Sequence, residues 1–116
     1  MISQTLFDVD QDPAPLWAQD DIGQTWWTFH REHPEVWQRL EQLLVEWNRE
    51  TGGRRCGMKM LWETLRFRTG LGDPSAAWRL SNNYTALYAR LVAVRRPDLA
   101  EMLEYRRRNK TERSKP

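Results

Sequence analysis

Residues 78–96 read Trp-Arg-Leu-Ser-Asn-Asn-Tyr-Thr-Ala-Leu-Tyr-Ala-Arg-Leu-Val-Ala-Val-Arg-Arg, and the reading of this stretch as a capped helix with two unlike faces decides the fold. Ser81 follows the apolar Leu80 and stands where an N-cap belongs, its hydroxyl placed to accept a bond from a first-turn amide. Tyr84, Leu87, Tyr88 and Leu91 recur at helical spacing, which predicts a stripe turned toward a core. Asn82, Ala86, Ala89 and Ala93 are expected on the other side, with Arg79, Asn83 and Arg90 beside them. Small residues among amides and guanidiniums suit close approach and hydrogen bonding to a nucleic acid, another protein or a neighbouring helix.

Working outward, Pro97 ends this helix and can open a last one over 97–107, with Leu99, Met102, Leu103 and Tyr105 as its buried side. Upstream, residues 69–77 are rich in Gly, Asp, Pro and Ser. Phe67 and Trp78 flank them in alternation with Arg68 and Arg79, so the connection reads either as a small β-hairpin with strands at 66–69 and 77–80 or as a long loop. Before it, Met58, Leu61, Trp62 and Leu65 form the inward stripe of a helix over 58–68. The clearest amphipathic helix is 34–51, where Val36, Trp37, Leu40, Leu43, Leu44 and Trp47 keep helical spacing, Pro34 opens the first turn and Gly52-Gly53 close the last. A short helix is expected over 25–32. The expected fold class is mainly α, a compact bundle of four to five helices with either a small hairpin or a loop between residues 66 and 80. Its domains are a flexible acidic arm (1–20), one helical domain (21–108) and a basic tail (109–116).

At 116 residues, 40% of them hydrophobic and seven of them Trp, the chain has enough apolar surface for one core. Cys56 is the single cysteine, so no internal disulfide forms, which suits a reducing compartment. With no long apolar run and no basic-then-apolar leader, neither membrane insertion nor export is expected, and the expected location is cytoplasmic. The net charge of +2 hides a gradient. Residues 1–30 carry five acids and no Lys or Arg, whereas 106–116 carry six bases against Glu112. Opposed ends of this kind attract each other weakly, in a salt-dependent way, or bind something else.

Several motif-like stretches do not hold. Gln4-Thr5-Leu6-Phe7 is similar to peptides that dock on bacterial sliding clamps, but its Leu-Phe pair follows Gln4 one residue too soon; an arm pinned by its aromatic residue is preferred. Asp8, Asp10 and Asp12 alternate like calcium ligands, yet Pro13 stands where the loop needs Gly and no Glu closes it. Residues 52–59 imitate a phosphate-binding loop, with Met58 in place of the required Lys and a helix before it in place of a strand. What remains there is a fair anion site: Arg54 and Arg55 at a helix N-terminus, with Lys59, Arg66 and Arg68 continuing the charge. His30 and His33 are read as ordinary histidines because further metal ligands are missing. No Ser-His-Asp set and no base partner for Cys56 are evident, so neither an enzyme nor a cofactor nor a metal is expected.

Leu61-Trp62-Glu63-Thr64-Leu65-Arg66-Phe67, Leu80-Ser81-Asn82-Asn83-Tyr84, Leu87-Tyr88-Ala89-Arg90-Leu91 and Pro97-Asp98-Leu99, together with Phe29-His30 and residues 34–37, occur in an order that resembles small uncharacterised proteins encoded by phages and prophages. The resemblance covers about residues 25–105. It implies a context, the bacterial cytoplasm during infection, and carries no catalytic residue.

Two functions are weighed on these residues. The first is a DNA-binding module, a helix-turn-helix variant in which helix 81–96 presents Asn82, Asn83, Thr85, Ala86 and Arg90 to a groove while Arg54, Arg55, Lys59, Arg66, Arg79 and the tail bases hold phosphates. Asn and Arg bond adenine and guanine edges in two places at once, and that places DNA first. The alternative is a protein-interaction module, such as an inhibitor of a host or defence complex, or a homo-oligomer. Trp and Arg are enriched at interface hot spots, and the adjacent Trp26 and Trp27 cannot face the same way.

Overall fold

Tyr88 meets aromatic rings from two helices other than its own, Trp26 and His30 from one and Trp62 from the other. The structure is a computed structural model that describes residues 13–73, 75 and 80–104. Its elements are α1 (Asp21–Glu32), α2 (Pro34–Thr51), β1 (Cys56–Gly57), α3 (Met58–Gly72), α4 (Thr85–Arg95), α5 (Pro97–Ala100) and β2 (Leu103–Glu104), with short 3-10 turns at Leu16–Ala18 and Asn82–Tyr84. The chain is mainly helical, as expected. No described helix is long and apolar enough to cross a membrane.

α1 starts four residues before the expected 25–32. Asp20 caps it, its carboxylate accepting from the Gly23 amide at 3.0 Å. Gly23, a residue that ordinarily weakens a helix, is needed here because a Cβ would lie 2.4 Å from the Ala18 carbonyl oxygen. Ala14 and Ala18 are both buried, and the Trp17 ring lies 5.5 Å from that of Trp26. The part of the acidic stretch at 13–20 thus packs on the first turns of α1. Both Trp26 and Trp27 are buried, although they are adjacent; Trp27 leans on His30, itself fully enclosed, at 5.2 Å between ring centres. The other histidine of the pair is elsewhere: His33 stands 3.5 Å from Glu35.

α2 has its expected bounds, from Pro34 to Thr51. It ends on Gly52, whose φ of 73° is left-handed and whose N–H donates to the Asn48 carbonyl at 2.9 Å. The Trp47 indole N–H donates to the Arg54 carbonyl at 2.8 Å and ties down the following turn.

Three expectations need correction. The hairpin strand at 66–69 is helix, because α3 continues to Gly72. Only in a helix does Arg66 stand one turn from Glu63, at 2.7 Å, while reaching across to the Leu80 carbonyl and to Asn82. The other half of that hairpin, 77–79, lies outside the described residues. The helix expected over 97–107 is only α5, after which the chain extends and β2 pairs in parallel with β1, Cys56 opposite Leu103 and Gly57 opposite Glu104. The Met102 carbonyl accepts the Cys56 N–H at 2.7 Å, a long-range bond that an eleven-residue helix would forgo. Finally, Ala89 is 1% exposed and belongs to the core, not to an outer face of small residues. Helix α4 is enclosed on more than one side, so its buried face widens to Leu87, Tyr88, Ala89, Leu91 and Val92.

The core joins these faces. Trp26 of α1 meets Tyr88 edge-on at 88°, and Trp62 of α3 lies against it at 5.5 Å. Arg96, at the bend between α4 and α5, pairs with Glu41 of α2 at 2.6 Å and with Asp98 at 2.9 Å, and Asp98 is held below its usual pKa by that guanidinium.

Cys56 is 1% exposed and burial pushes its thiol above the ordinary pKa. The thiolate fraction in the native protein is therefore small. Iodoacetamide at about pH 8 is expected to label Cys56 slowly in the native protein and quickly in denaturant. Fast native labelling would mean that the β1–β2 pairing opens readily.

Candidate nucleic-acid interface

The groove of interest begins with backbone. β1 runs straight into α3, so Arg55, Gly57 and Lys59 are presented within a few residues of the α3 N-terminus. Gly57 is the N-cap and offers no capping side chain. This is the end of a helix where N–H groups lack intrahelical partners and the dipole favours negative charge.

Across from it, the Asn82–Tyr84 turn that leads into α4 is fixed by side-chain bonds of Ser81, Trp62 and Arg66. Ser81 caps this 3-10 turn rather than α4 itself, which starts at Thr85; its hydroxyl accepts from the Asn83 amide at 3.1 Å. The Trp62 indole N–H donates to the Ser81 carbonyl at 3.1 Å. Arg66 donates to the Leu80 carbonyl and, at 2.8 Å, to the Asn82 side-chain oxygen. A residue of the core and a residue of the surface thus hold the Asn82-Asn83 turn against α3.

Between the two walls lies an open concavity of about 1050 Å³, whose lining includes Arg55, Lys59, Asn82, Asn83, Thr85 and Glu104. Arg55 is exposed but engaged, its guanidinium 2.7 Å from Glu104. Lys59 is exposed and has no ion pair among the described residues. The concavity can therefore offer one uncompensated ammonium, the Asn82 amide NH2 and the Asn83 carboxamide, while the Thr85 hydroxyl donates to the Asn82 carbonyl at 3.0 Å. That chemistry suits a polar, anionic ligand.

The eight sequence-predicted residues divide. Arg55, Lys59, Asn82 and Asn83 converge on the concavity. Arg66 is half-buried and serves the wall through its bonds to residues 80 and 82. Arg54 is exposed just before the groove, with its amide held by the Thr51 hydroxyl at 3.1 Å. Arg90 does not line it: its guanidinium sits 5.7 Å over the Trp17 ring, a cation–π contact on another part of α4. Arg79 lies outside the described residues. Sequence reasoning missed Glu104 and Leu103, because residues 97–107 read as one helix and a two-residue strand has no periodicity to find. Among the described residues, no group of three or more His, Cys, Asp or Glu side chains stands ready to hold a metal ion.

No protein family, no curated protein and no solved structure matches this chain.

Proposed function

We propose that the protein is a non-enzymatic DNA-binding module whose contact surface is the groove between the N-termini of α3 and α4. The observation that carries this reading is a juxtaposition. Glu104 lines the groove, and the segment that follows it in sequence, 106–116, carries six bases against one acid. The same groove is lined by Arg55, Lys59, Asn82 and Asn83. Bases in the groove and in the sequence that follows it suit phosphates, and the two carboxamides suit base edges or sugar oxygens. Residues 73–84 separate α3 from α4, a connection of about a dozen residues where a helix-turn-helix turn has only a few, so the proposed docking is a variant of that motif. The phage setting, with the bacterial cytoplasm as its location, rests on the sequence resemblance alone. An interaction with a host protein is the second reading, and it draws on a different surface, the exposed Met60, Phe67 and Leu71 of α3.

An electrophoretic shift on random duplex DNA tests the reading. Binding is expected at low salt and is expected to fall steeply as salt rises, by about three orders of magnitude between 50 and 200 mM if about six phosphates are neutralised. Lys59→Ala should lower the slope of log affinity against log salt by about 1, Asn83→Ala should weaken binding, and Arg90→Ala should do neither. No shift at low salt would sink the proposal, and a shift that survives Lys59→Ala and Asn83→Ala unchanged would move the contact from the groove to the tail alone.

A further inference from the structure

The outward side of α3 carries an exposed apolar seam, unpartnered among the described residues. Met60, Phe67 and Leu71 are 43%, 66% and 72% exposed, in a helix whose Met58, Leu61, Trp62 and Leu65 are buried. With Thr64 they are spaced four, three and four residues apart, which places all four within about 60° on the helix and opposite the buried side. This is the a/d pattern of a two-stranded helix pair, with Met60 and Phe67 at d and Thr64 and Leu71 at a. Thr64 is not an obstacle, because its hydroxyl donates to the Met60 carbonyl at 2.9 Å and so is satisfied within its own helix.

We propose that a second copy of this chain covers the seam, the two α3 helices lying parallel about a two-fold axis. Charge selects both the occupant and the direction. Glu63 and Arg68 flank the seam at about 70° to either side, at the g and e positions. In a parallel pair, Glu63 of one copy faces Arg68 of the other, twice by symmetry. In an antiparallel pair, each would face its own like charge. Both groups keep room for such a contact: their side chains are 50% and 59% exposed, Glu63 gives one carboxylate oxygen to Arg66 at 2.7 Å and keeps the other for a partner, and Arg68 approaches its intramolecular partner Glu46 only to 4.0 Å. The seam therefore complements itself, in apolar spacing and in charge. One helix pair buries an area at the low end for a stable interface, so the dimer dissociates on dilution. This inference is independent of DNA binding.

Analytical ultracentrifugation of the full chain over a concentration series tests it. The expected result is a mass rising from monomer to dimer. Phe67→Glu should weaken self-association roughly thirtyfold or more, with an unchanged melting temperature at concentrations where the wild-type protein is monomeric. Leu71→Asp reads the same seam should Phe67→Glu fail to fold. Glu63→Arg should also weaken the dimer, and Glu63→Arg with Arg68→Glu should restore it. A monomer at every soluble concentration overturns the proposal and leaves the seam to a different partner. So does a dimer indifferent to both Phe67→Glu and Leu71→Asp. A dimer lost in Phe67→Glu but untouched by Glu63→Arg overturns the parallel pairing.

Discussion

Trp62→Ala is expected to cost about 3–5 kcal/mol, a large share of the stability of a domain of this size. Trp62 is wholly buried, and its ring lies against Tyr88 at 5.5 Å. Truncation removes that area and leaves a void that the Tyr88 ring, itself held by Trp26 of α1, cannot readily fill. It also takes away one of the two donors to the Ser81 carbonyl, the other being the Tyr84 N–H, so the Asn82-Asn83 turn loses one of its ties to α3. Urea unfolding followed by far-ultraviolet circular dichroism reads the loss. Trp62→Phe divides the effect: it keeps most of the ring area, removes the bond and leaves a smaller void, for a cost of about 1–3 kcal/mol. A loss below about 1 kcal/mol in the alanine variant would contradict the central position assigned to Trp62.

Gly23→Ala is the second large effect, and it runs against helix propensity. In an open helix interior, the change would stabilise by up to about 1 kcal/mol. Here the new Cβ would stand 2.4 Å from one backbone atom and 2.5 Å from the next, the carbonyl oxygen and carbon of Ala18. Backbone cannot rotate away as a side chain can. Either α1 shifts or residues 14–18 leave the core, and we expect a net loss of about 2 kcal/mol or more, with the summed tryptophan fluorescence moving toward that of exposed indole. Gly72→Ala is the control. Nothing lies within 4 Å of a Cβ there, and that variant should be neutral or slightly more stable. If the two alanine variants melt together, the packing of 14–18 on α1 is not a part of the fold that matters.

What was legible in the sequence follows the range of the forces involved. The bounds of α2 could be read because both ends are set by local chemistry, Pro34 in the first turn and Gly52 in the left-handed cap. The Ser81 cap could be read for the same reason. The start of α1 could not, since Gly23 argues against a helix until Ala18 is seen beside it. The extent of α3 was hidden because alternating Phe67, Arg68 and Thr69 imitate a strand, and only contacts with residues 80 and 82 favour the helix. Likewise, four of the groove residues were found from their chemistry, Arg55, Lys59, Asn82 and Asn83, whereas Arg90 was misplaced because its neighbour Trp17 is far away in sequence. Glu104 was missed altogether, for its place depends on a pairing with Gly57 that no local pattern announces.

That same pairing sets an order of events during synthesis. A ribosome makes Cys56 long before Met102, so while the bundle is being made the Cys56 amide has no carbonyl to meet and the groove has one wall missing. The surface assigned to ligand binding is therefore the last region of the described chain to exist. A nascent chain that has not yet released Leu103 and Glu104 lacks one wall of the groove proposed to bind DNA.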